Sequence, residues 1–184
     1  TILLPDYQKD TNTYDDVINT MKNKNYSNTL PNVGDTYQLS DANFTIIAPN
    51  SYSYGDTTNN YSIGIILKYG DDSFLFTGDA ENEAEEDIVA NGIDISADVY
   101  QVGHHGSSSS STELLLNAVN PKNAVISCGE ENKYGHPQAE VLNYFRERGI
   151  KVFRTDEQGT IVATSDGKNI TFNCAPSDTW KSGN

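Results

Sequence analysis

Two strand-like segments and the acidic stretch between them decide the fold: SFLFTGDA at 73–80 and ADVYQVGHHGSSSSS at 97–111. Each segment is predicted to be an apolar strand that ends in a small-residue turn. The first turn carries Asp79, and the second carries His104 and His105. Because parallel strands joined by a helix end at the same edge of a sheet, the carboxylate and an imidazole can converge there. This combination is typical of a hydrolytic metal site.

Strand-like and helix-like segments alternate on both sides of this stretch. Sequence patterns predict helices at 13–24, 81–92, 111–119 and 137–148, and further strands at 36–40, 44–48, 61–69, 123–128, 150–154, 159–164 and 169–172. Ser110 and Glu113 have the spacing of a capping box. The pairs Gly70-Asp71 and Asp166-Gly167 signal tight hairpins. The alternation, with antiparallel hairpins at both ends, predicts a layered α/β fold with a mixed sheet.

The composition bounds the class of protein. With 184 residues the chain fits one domain, which we place at 1–174, followed by a tail at 175–184. The net charge of −14 excludes broad electrostatic attraction to nucleic acid or anionic lipid, so a phosphodiester substrate would need metal ions to neutralise it. No apolar run is long enough for a membrane span. The many Asn, Ser, Thr and Tyr residues suit an extracellular or cell-surface protein.

The two cysteines, Cys128 and Cys174, lack the spacing of a metal site. They are either two unpaired core residues or a disulfide. A disulfide would require an oxidising compartment.

The chain has three histidines, His104, His105 and His136, and all lie in glycine-flanked loops next to predicted strands. A lone loop histidine is more often a hydrogen-bonded loop residue than a ligand. Three in such positions, two of them adjacent, favour a metal-binding or catalytic role for at least one. Successive strand residues point to opposite faces, so His104 and His105 cannot face the same ion unless the strand has already ended. We expect His105 to be the ligand and His104 to orient the site.

Three assignments have structural alternatives. Asp79 could bind metal or cap the N-terminus of the acidic helix, and one carboxylate could do both. Gly106 and Ser107–Ser111 could bind an anion through N–H and hydroxyl groups, or form a flexible serine-rich loop. His136 could contact substrate and transfer a proton, or could only neighbour the start of a helix at Pro137.

Several segments together resemble a known family. LFTGDAENEAEE, ADVYQVGHHGS, ISCGEENKYGHP and FRTDEQGTI, preceded by NNYSI, resemble the metallo-β-lactamase-fold domain of ComEC-type competence proteins and of their stand-alone secreted relatives. The resemblance runs from about Val33 to Gly167. It implies an αβ/βα sandwich with two divalent metal ions, zinc or manganese, at one edge of its sheets.

The resemblance also implies roles for individual residues. Asp79 matches the aspartate that bridges the two metals, and the His104–His105 pair contains the later histidine ligand. His136 matches a histidine close to the site, for which we expect a catalytic or substrate-binding role. Among the neighbouring residues, we expect Ser107, Ser108 and Asn60 to bind substrate.

The family's main metal motif, His-x-His-x-Asp-His, is absent from this chain. The resemblance therefore implies only the C-terminal part of the sandwich. The opening TILLPDYQKD, which looks like the middle of a strand, agrees with a longer protein. One carboxylate and one or two histidines fall short of the three or four ligands of a stable zinc site, so we expect these residues alone to bind metal weakly or not at all. We also expect the missing N-terminal half to leave a large apolar surface uncovered.

Residues and resemblance together predict a metal-dependent hydrolase, in which a metal-activated water attacks a phosphodiester or another ester. The resemblance to competence proteins implies DNA as the substrate, in particular the single strand degraded during DNA uptake. Because this fold serves many chemistries, a hydrolase of another ester class stays an alternative. The other alternative is a truncated or degenerate module that binds a partner without catalysis.

Overall fold

A seven-stranded mixed sheet organises the chain in the computed structural model, which describes residues 2–183. The strands are β1 (Ile2–Leu3), β2 (Asn28–Thr29), β3 (Thr36–Leu39), β4 (Ala42–Ala48), β5 (Gly64–Tyr69), β6 (Asp72–Phe76), β7 (Val99–Gln101), β8 (Asn123–Ile126), β9 (Lys151–Arg154), β10 (Ala163–Ser165) and β11 (Ile170–Phe172). The large sheet has the order β3-β4-β5-β6-β7-β8-β9, antiparallel from β3 to β6 and parallel from β6 to β9. The predicted α/β fold with a mixed sheet is confirmed.

The described residues also form helices α1 (Asn12–Asn23), α2 (Asn82–Ala90), α3 (Glu113–Val119), α4 (Ala139–Glu147) and α5 (Thr155–Gln158). α2, α3 and α4 each connect two consecutive parallel strands. Since such crossovers are right-handed, all three helices lie on one face of the sheet. Gly149, with φ of +67°, follows the end of α4, as the sequence predicts.

The helical face of the sheet carries the core. Ile66, Leu75, Tyr100, Ala124 and Val152 are register partners across β5 to β9, and each is at most 2% exposed. They belong to one apolar cluster with buried side chains of the three crossover helices, which are Ala84, Ile88, Leu115, Leu116, Val119, Val141, Leu142 and Phe145. Burying one Leu, Ile or Phe side chain stabilises a fold by about 1.5–3 kcal/mol. This cluster therefore fixes the positions of the carboxyl ends of β6 and β7, which precede Asp79 and His104.

The opposite face of the sheet, here called the outer face, is also largely apolar. Its two rows of register partners are Phe44, Leu67, Phe74 and Val99, and Ile65, Phe76, Gln101, Val125 and Phe153. Val99 and Phe153 are buried, whereas the other members are only partly buried. The ring of Phe172 in β11 stacks on Phe153 with centroids 3.8 Å apart, so the β10–β11 hairpin covers that end of the outer face.

The start of α3 differs from the prediction because another side chain caps it. The helix begins at Glu113, and Thr112 Oγ1 accepts a hydrogen bond from Leu115 N at 3.3 Å. The predicted capping box of Ser110 and Glu113 is therefore wrong. Ser110 Oγ instead donates to the carbonyl oxygen of Ala80 at 2.7 Å, which joins the serine-rich loop to the segment before α2.

The segment expected as a tail lies against β9 and the core. Ser177 N donates to the carbonyl oxygen of Val152 at 2.8 Å, and Gly183 N donates to that of Pro137 at 2.9 Å. Trp180 packs against the core cluster. The domain limits of 1–174 and the tail at 175–184 stay a prediction, because this packing alone does not define a domain.

Cys128 and Cys174 are free thiols, both partly buried, which corresponds to the unpaired alternative. Burial and the nearby Asp156 raise the pKa of Cys128 to about 12, so this thiol stays protonated at neutral pH. Within residues 2–183, no helix combines the length and the apolar character that crossing a membrane requires.

Candidate functional site

Asp79 lies in a turn that only glycine fits easily. Gly78, which precedes it, has φ of +59°, and an added Cβ there would lie 2.9 Å from Cβ of Ser62. Ser62 also holds the turn, since its Oγ accepts a hydrogen bond from Asp79 N at 3.1 Å. The helix α2 begins only at Asn82, after Glu81 at the N-cap position, so the alternative role of Asp79 as the N-cap is wrong. The carboxylate of Asp79 is half-exposed and available for a ligand.

His104 and His105 lie in a short 3-10 turn, Gly103–Gly106, beyond the end of β7. Their φ angles of +46° and +59° are both in the left-handed region. The alternation of side chains along a strand therefore does not apply to them. The carbonyl oxygen of Gly78 accepts a hydrogen bond from His104 N at 3.0 Å, which joins the turn with the histidines to the turn with the carboxylate.

The ring of His105 is fixed by its Nδ1 atom, which lies 2.6 Å from the carbonyl oxygen of Ser127. A carbonyl oxygen only accepts, so Nδ1 must carry the proton in this contact. In the neutral ring the lone pair is then on Nε2, which lies 3.6 Å from Oδ1 of Asp79. A histidine whose second nitrogen donates to a backbone carbonyl is oriented in the way that metal ligands usually are.

His104 has a different environment. Its Nδ1 lies 3.4 Å from Oε1 of Glu81 and 3.3 Å from Oγ of Ser109. Glu81 is itself held by Asn59, whose Nδ2 donates to the same carboxylate oxygen at 2.9 Å. The ring centroid of His104 lies 5.8 Å from that of His136. Such contacts suit an orienting residue, and the separate roles of His104 and His105 stay predictions.

His136 is brought to the same edge and is 9% exposed. Its Nδ1 is buried without a hydrogen-bond partner among the described residues. Burial, and then the neighbouring His104 and His105, lower the pKa of His136. Asn132 holds its backbone, with Oδ1 accepting from His136 N at 3.0 Å and Nδ2 donating to His136 O at 2.6 Å. The ring is therefore a neutral imidazole on a fixed backbone, and its Nδ1 atom is closed off from solvent.

The predicted anion-binding loop uses most of its donors within the protein. Ser108 N donates to Oε1 of Gln138 at 2.9 Å, and Ser107 N donates to the carbonyl oxygen of His104 at 2.9 Å. Ser111 N is bound by a carboxylate of α2. These bonds hold the loop in place and leave few of its backbone donors for an anion, and the anion-binding alternative stays a prediction. Ser107 and Ser108 lie beside the histidines, and their contact with substrate stays a prediction.

The structure buries Asn60, which was expected to bind substrate, to 2% exposure. Its Oδ1 accepts a hydrogen bond from Glu81 N at 2.9 Å, and its Nδ2 lies 3.5 Å from Oε2 of Glu83. Both ends of the amide thus support the first turn of α2. This geometry favours a positioning role for Asn60 over substrate contact.

Sequence reasoning missed Glu85, a fully buried carboxylate on α2. Its two oxygens accept hydrogen bonds from Ser111 N at 2.6 Å and Thr112 N at 2.7 Å. Burial raises its pKa above the ordinary value of 4.5. Glu85 therefore joins α2 to the start of α3 and to the end of the serine-rich loop. Nothing in the acidic segment 81–87 distinguishes this glutamate from its exposed neighbours.

The donors at this edge fit a metal ion in kind but not in number. Asp79 offers a carboxylate oxygen and His105 an imidazole nitrogen, which are ordinary zinc ligands. In the part of the chain that the structure describes, no group of three or more His, Cys, Asp or Glu side chains converges closely enough to hold an ion. A stable zinc site with three or four protein ligands therefore needs at least one further donor.

Comparison with known families finds a match at residues 34–130, slightly over half of the chain, to the Metallo-beta-lactamase superfamily. The chain is 36% identical over 143 residues to ComE operon protein 3 of Bacillus subtilis (strain 168), covering 78% of the chain and 18% of that protein. It is 36% identical over 126 residues to Competence protein ComA of Neisseria gonorrhoeae, covering 68% of the chain and 18% of that protein. The chain thus spans under a fifth of the length of these relatives.

One further sequence relative and one solved structure also resemble the chain. Recombination protein 2 of Haemophilus influenzae is 34% identical over 146 residues, covering 77% of the chain and 18% of that protein. Among solved structures, CmlA, a diiron beta-hydroxylase from Streptomyces venezuelae, superposes with a TM-score of 0.54 at 15% identity, covering 83% of the chain and 38% of CmlA. At this identity the structural likeness bears on the fold alone.

Proposed function

Because the chain belongs to the metallo-beta-lactamase superfamily, we propose that it is the C-terminal part of a metal-dependent phosphodiesterase domain that acts on DNA during uptake. The observation that carries the proposal is the pair of Asp79 and His105, with the lone-pair nitrogen of the imidazole 3.6 Å from the carboxylate. This is the only place in residues 2–183 where histidines from one loop meet a carboxylate from a neighbouring strand end.

Asp79 and His105 are the residues that would hold a divalent ion, zinc or manganese. A bound ion would lower the pKa of water towards about 7 and stabilise negative charge that develops on a phosphodiester. The chain's own contribution is orientation, since Ser127 fixes the His105 ring and Ser62 fixes the Asp79 turn. We propose that the remaining ligands, and a second ion, belong to a His-x-His-x-Asp-His motif elsewhere in the intact protein.

His136, which lines the same cavity as His105, is proposed to act on the substrate as a proton donor or acceptor through its imidazole ring. The buried imidazole stays neutral, since burial lowers its pKa. A neutral imidazole can both accept and donate a proton near neutral pH. Asn132 keeps the ring in place by holding its backbone from both sides.

DNA is proposed as the substrate because one matched relative is named Competence protein ComA and another ComE operon protein 3, which agrees with the resemblance to ComEC-type competence proteins. A net charge of −14 makes metal ions, and not a basic surface, the means of neutralising the phosphates. A single strand suits a shallow edge site, because its phosphodiester can approach without a second strand. A position at the cell surface follows from the same proposed role.

The experiment compares the intact protein with its Asp79→Ala variant. We expect cleavage of single-stranded DNA and of a small chromogenic phosphodiester to fall by about 10²-fold or more, together with loss of bound metal. Asp41→Ala, which changes an exposed carboxylate between β3 and β4, is the matched control and should keep both. Full metal content and full cleavage in the Asp79 variant would refute the proposal.

A second candidate is a binding module without catalysis. It is favoured by the small ligand set, because no three metal-binding side chains converge within residues 2–183. The same measurement separates the two functions. A binding module predicts no metal-dependent cleavage of either substrate by the intact protein, and no effect of Asp79→Ala on partner binding.

A further inference from the structure

Tyr134 presents an exposed aromatic ring beside the candidate site. The side chain is 65% exposed, yet it stacks on the buried His136 ring with centroids 5.8 Å apart and planes only 15° from parallel. Exposed single aromatics are common and need no explanation. A ring stacked parallel on a proposed catalytic imidazole is a narrower observation, because it is fixed relative to the site.

The same ring lines a cavity of about 320 Å³ that begins at the histidines. Its lining includes His105, His136 and Tyr134, together with Ser127, Cys128, Gly129 and Asn132. Pockets for small molecules usually measure about 300–1,000 Å³, so this cavity, at the small end of that range, has room for a ring-sized group. A group held here is in contact with the candidate site and with the tyrosine ring at the same time.

The loop that carries Tyr134 is held in place by Asn132. In addition to its two bonds to His136, Nδ2 of Asn132 donates to the carbonyl oxygen of Gly129 at 2.9 Å. Gly135 N donates to the carbonyl oxygen of Asn132 at 3.2 Å. The turn is thus closed on itself around one amide. A pre-organised ring loses little conformational freedom on binding, which favours stacking.

Charged side chains near the Tyr134 ring would influence where a charged ligand lies. Lys133 Nζ lies 5.0 Å from the centroid of the Tyr134 ring. Glu130 and Glu131 are exposed on the other arm of the same turn. A negatively charged backbone attached to a stacked ring is therefore repelled by the glutamates and attracted by Lys133.

We propose that Tyr134 is the stacking platform for one base of a single-stranded nucleic acid whose phosphodiester lies at the His105 edge. The inference rests on the proposed function and adds to it a subsite that recognises the base rather than the phosphate. Bases stack on exposed aromatic rings without a strong sequence preference, since every base has a π-face. The subsite would therefore separate nucleic acids from other phosphodiesters while tolerating any sequence.

The test uses the intact protein and two oligodeoxynucleotides of equal length and charge, with phosphorothioate linkages that resist cleavage. One carries ordinary bases and the other is abasic, and affinities are measured by fluorescence anisotropy. We expect the wild-type protein to prefer the base-bearing strand, and Tyr134→Leu to reduce that preference by about 10- to 100-fold. Tyr134→Phe, which keeps the ring, should retain it. Tyr26→Leu changes a ring that is 55% exposed after α1 and is the control for loss of an exposed tyrosine.

The outcomes distinguish the inference from the proposed function. Equal affinity of the wild-type protein for both strands, or an unchanged preference in Tyr134→Leu, overturns the stacking platform while metal-dependent cleavage of DNA still stands. Loss of preference in Tyr134→Phe as well as in Tyr134→Leu also overturns it, because the hydroxyl and not the ring would then be responsible. Binding of neither strand by the wild-type protein overturns both proposals.

Discussion

Nε2 of His105 lies 3.6 Å from Oδ1 of Asp79, although the two residues follow different strands and are separated by α2. The contact exists because β6 and β7 are parallel neighbours, so their carboxyl ends meet at one edge of the sheet. A hydrogen bond from His104 N to the carbonyl oxygen of Gly78 also joins the two turns that carry these residues. The two turns therefore form one unit.

We expect His105→Ala to lower the metal content and hydrolysis of the intact protein more than His104→Ala does. The reason is that Ser127 leaves the lone pair of His105 on Nε2 facing Asp79, whereas Nδ1 of His104 faces Glu81. Elemental analysis and cleavage of single-stranded DNA measure the two effects. The assignment is wrong if His104→Ala proves the more damaging variant in both assays.

The 184-residue chain by itself should bind zinc or manganese weakly or not at all. Asp79 and His105 supply two donors at the edge, and a stable zinc site uses three or four. Calorimetric titration of the purified chain measures the affinity and stoichiometry. A tight site with whole-number stoichiometry would contradict the expectation and would require ligands that the present arrangement does not bring together.

His136→Ala should lower turnover by about 10²-fold, the usual effect of losing a general acid or base, and should leave the metal content unchanged. His136 lines a cavity next to His105, which is the reason for placing this residue beside the substrate and not on the metal. Asn132→Ala should have a smaller effect in the same direction, since it releases the His136 backbone. Metal loss in His136→Ala would instead make this histidine a ligand.

Gly106→Ala should destabilise the fold more than Gly149→Ala. Both glycines have positive φ, +84° and +67°, so both variants pay a backbone cost of about 1–2 kcal/mol. Only at Gly106 would the new Cβ also lie 2.7 Å from Cβ of Pro137, whereas nothing lies within 4 Å at Gly149. Urea denaturation gives both free energies of unfolding. Equal losses would mean that the segment of Pro137 moves away without cost.

Glu85→Ala should destabilise the fold by about 1–3 kcal/mol, because it leaves Ser111 N and Thr112 N without their acceptors. The loss should also depend on pH. The folded pKa of Glu85 is raised, so the stability that protonated Glu85 contributes is complete below 4.5 and is lost as the pH rises through the raised value. Denaturation of both proteins across this range should show the difference between them shrinking with rising pH. A difference that grows would contradict the raised pKa.

Local signals explain how much of the fold could be predicted from the sequence. The hairpin at Gly70 and the end of α4 at Gly149 depend on single glycines with positive φ, and neighbouring residues suffice to identify them. The edge that unites Asp79 with the histidines follows from the parallel arrangement of β6 and β7, which the alternation of strands and helices indicates. The short α5 carries no apolar periodicity and was not predicted.

The remaining features depend on contacts between distant segments. The buried Glu85 closes the start of α3, and no local pattern on α2 indicates this role. Asn60 was expected to bind substrate, yet its amide is used by the first turn of α2. The left-handed conformations of His104 and His105 are linked to the carbonyl oxygen of Gly78, in the turn after β6. Local patterns of residue type do not indicate such contacts between distant segments.

The outer face of the sheet ends where the candidate site begins. Phe76 and Gln101 are register partners on that face, and each is the last residue of a strand whose following turn carries Asp79 or His105. Metal ligands must hold their positions to within about 0.5 Å. A layer packed against Phe76 would therefore shift the ends of β6 and β7, and with them Asp79 and His105, without contacting either residue. The metal affinity proposed for this site would then depend on how closely that layer packs against the outer face.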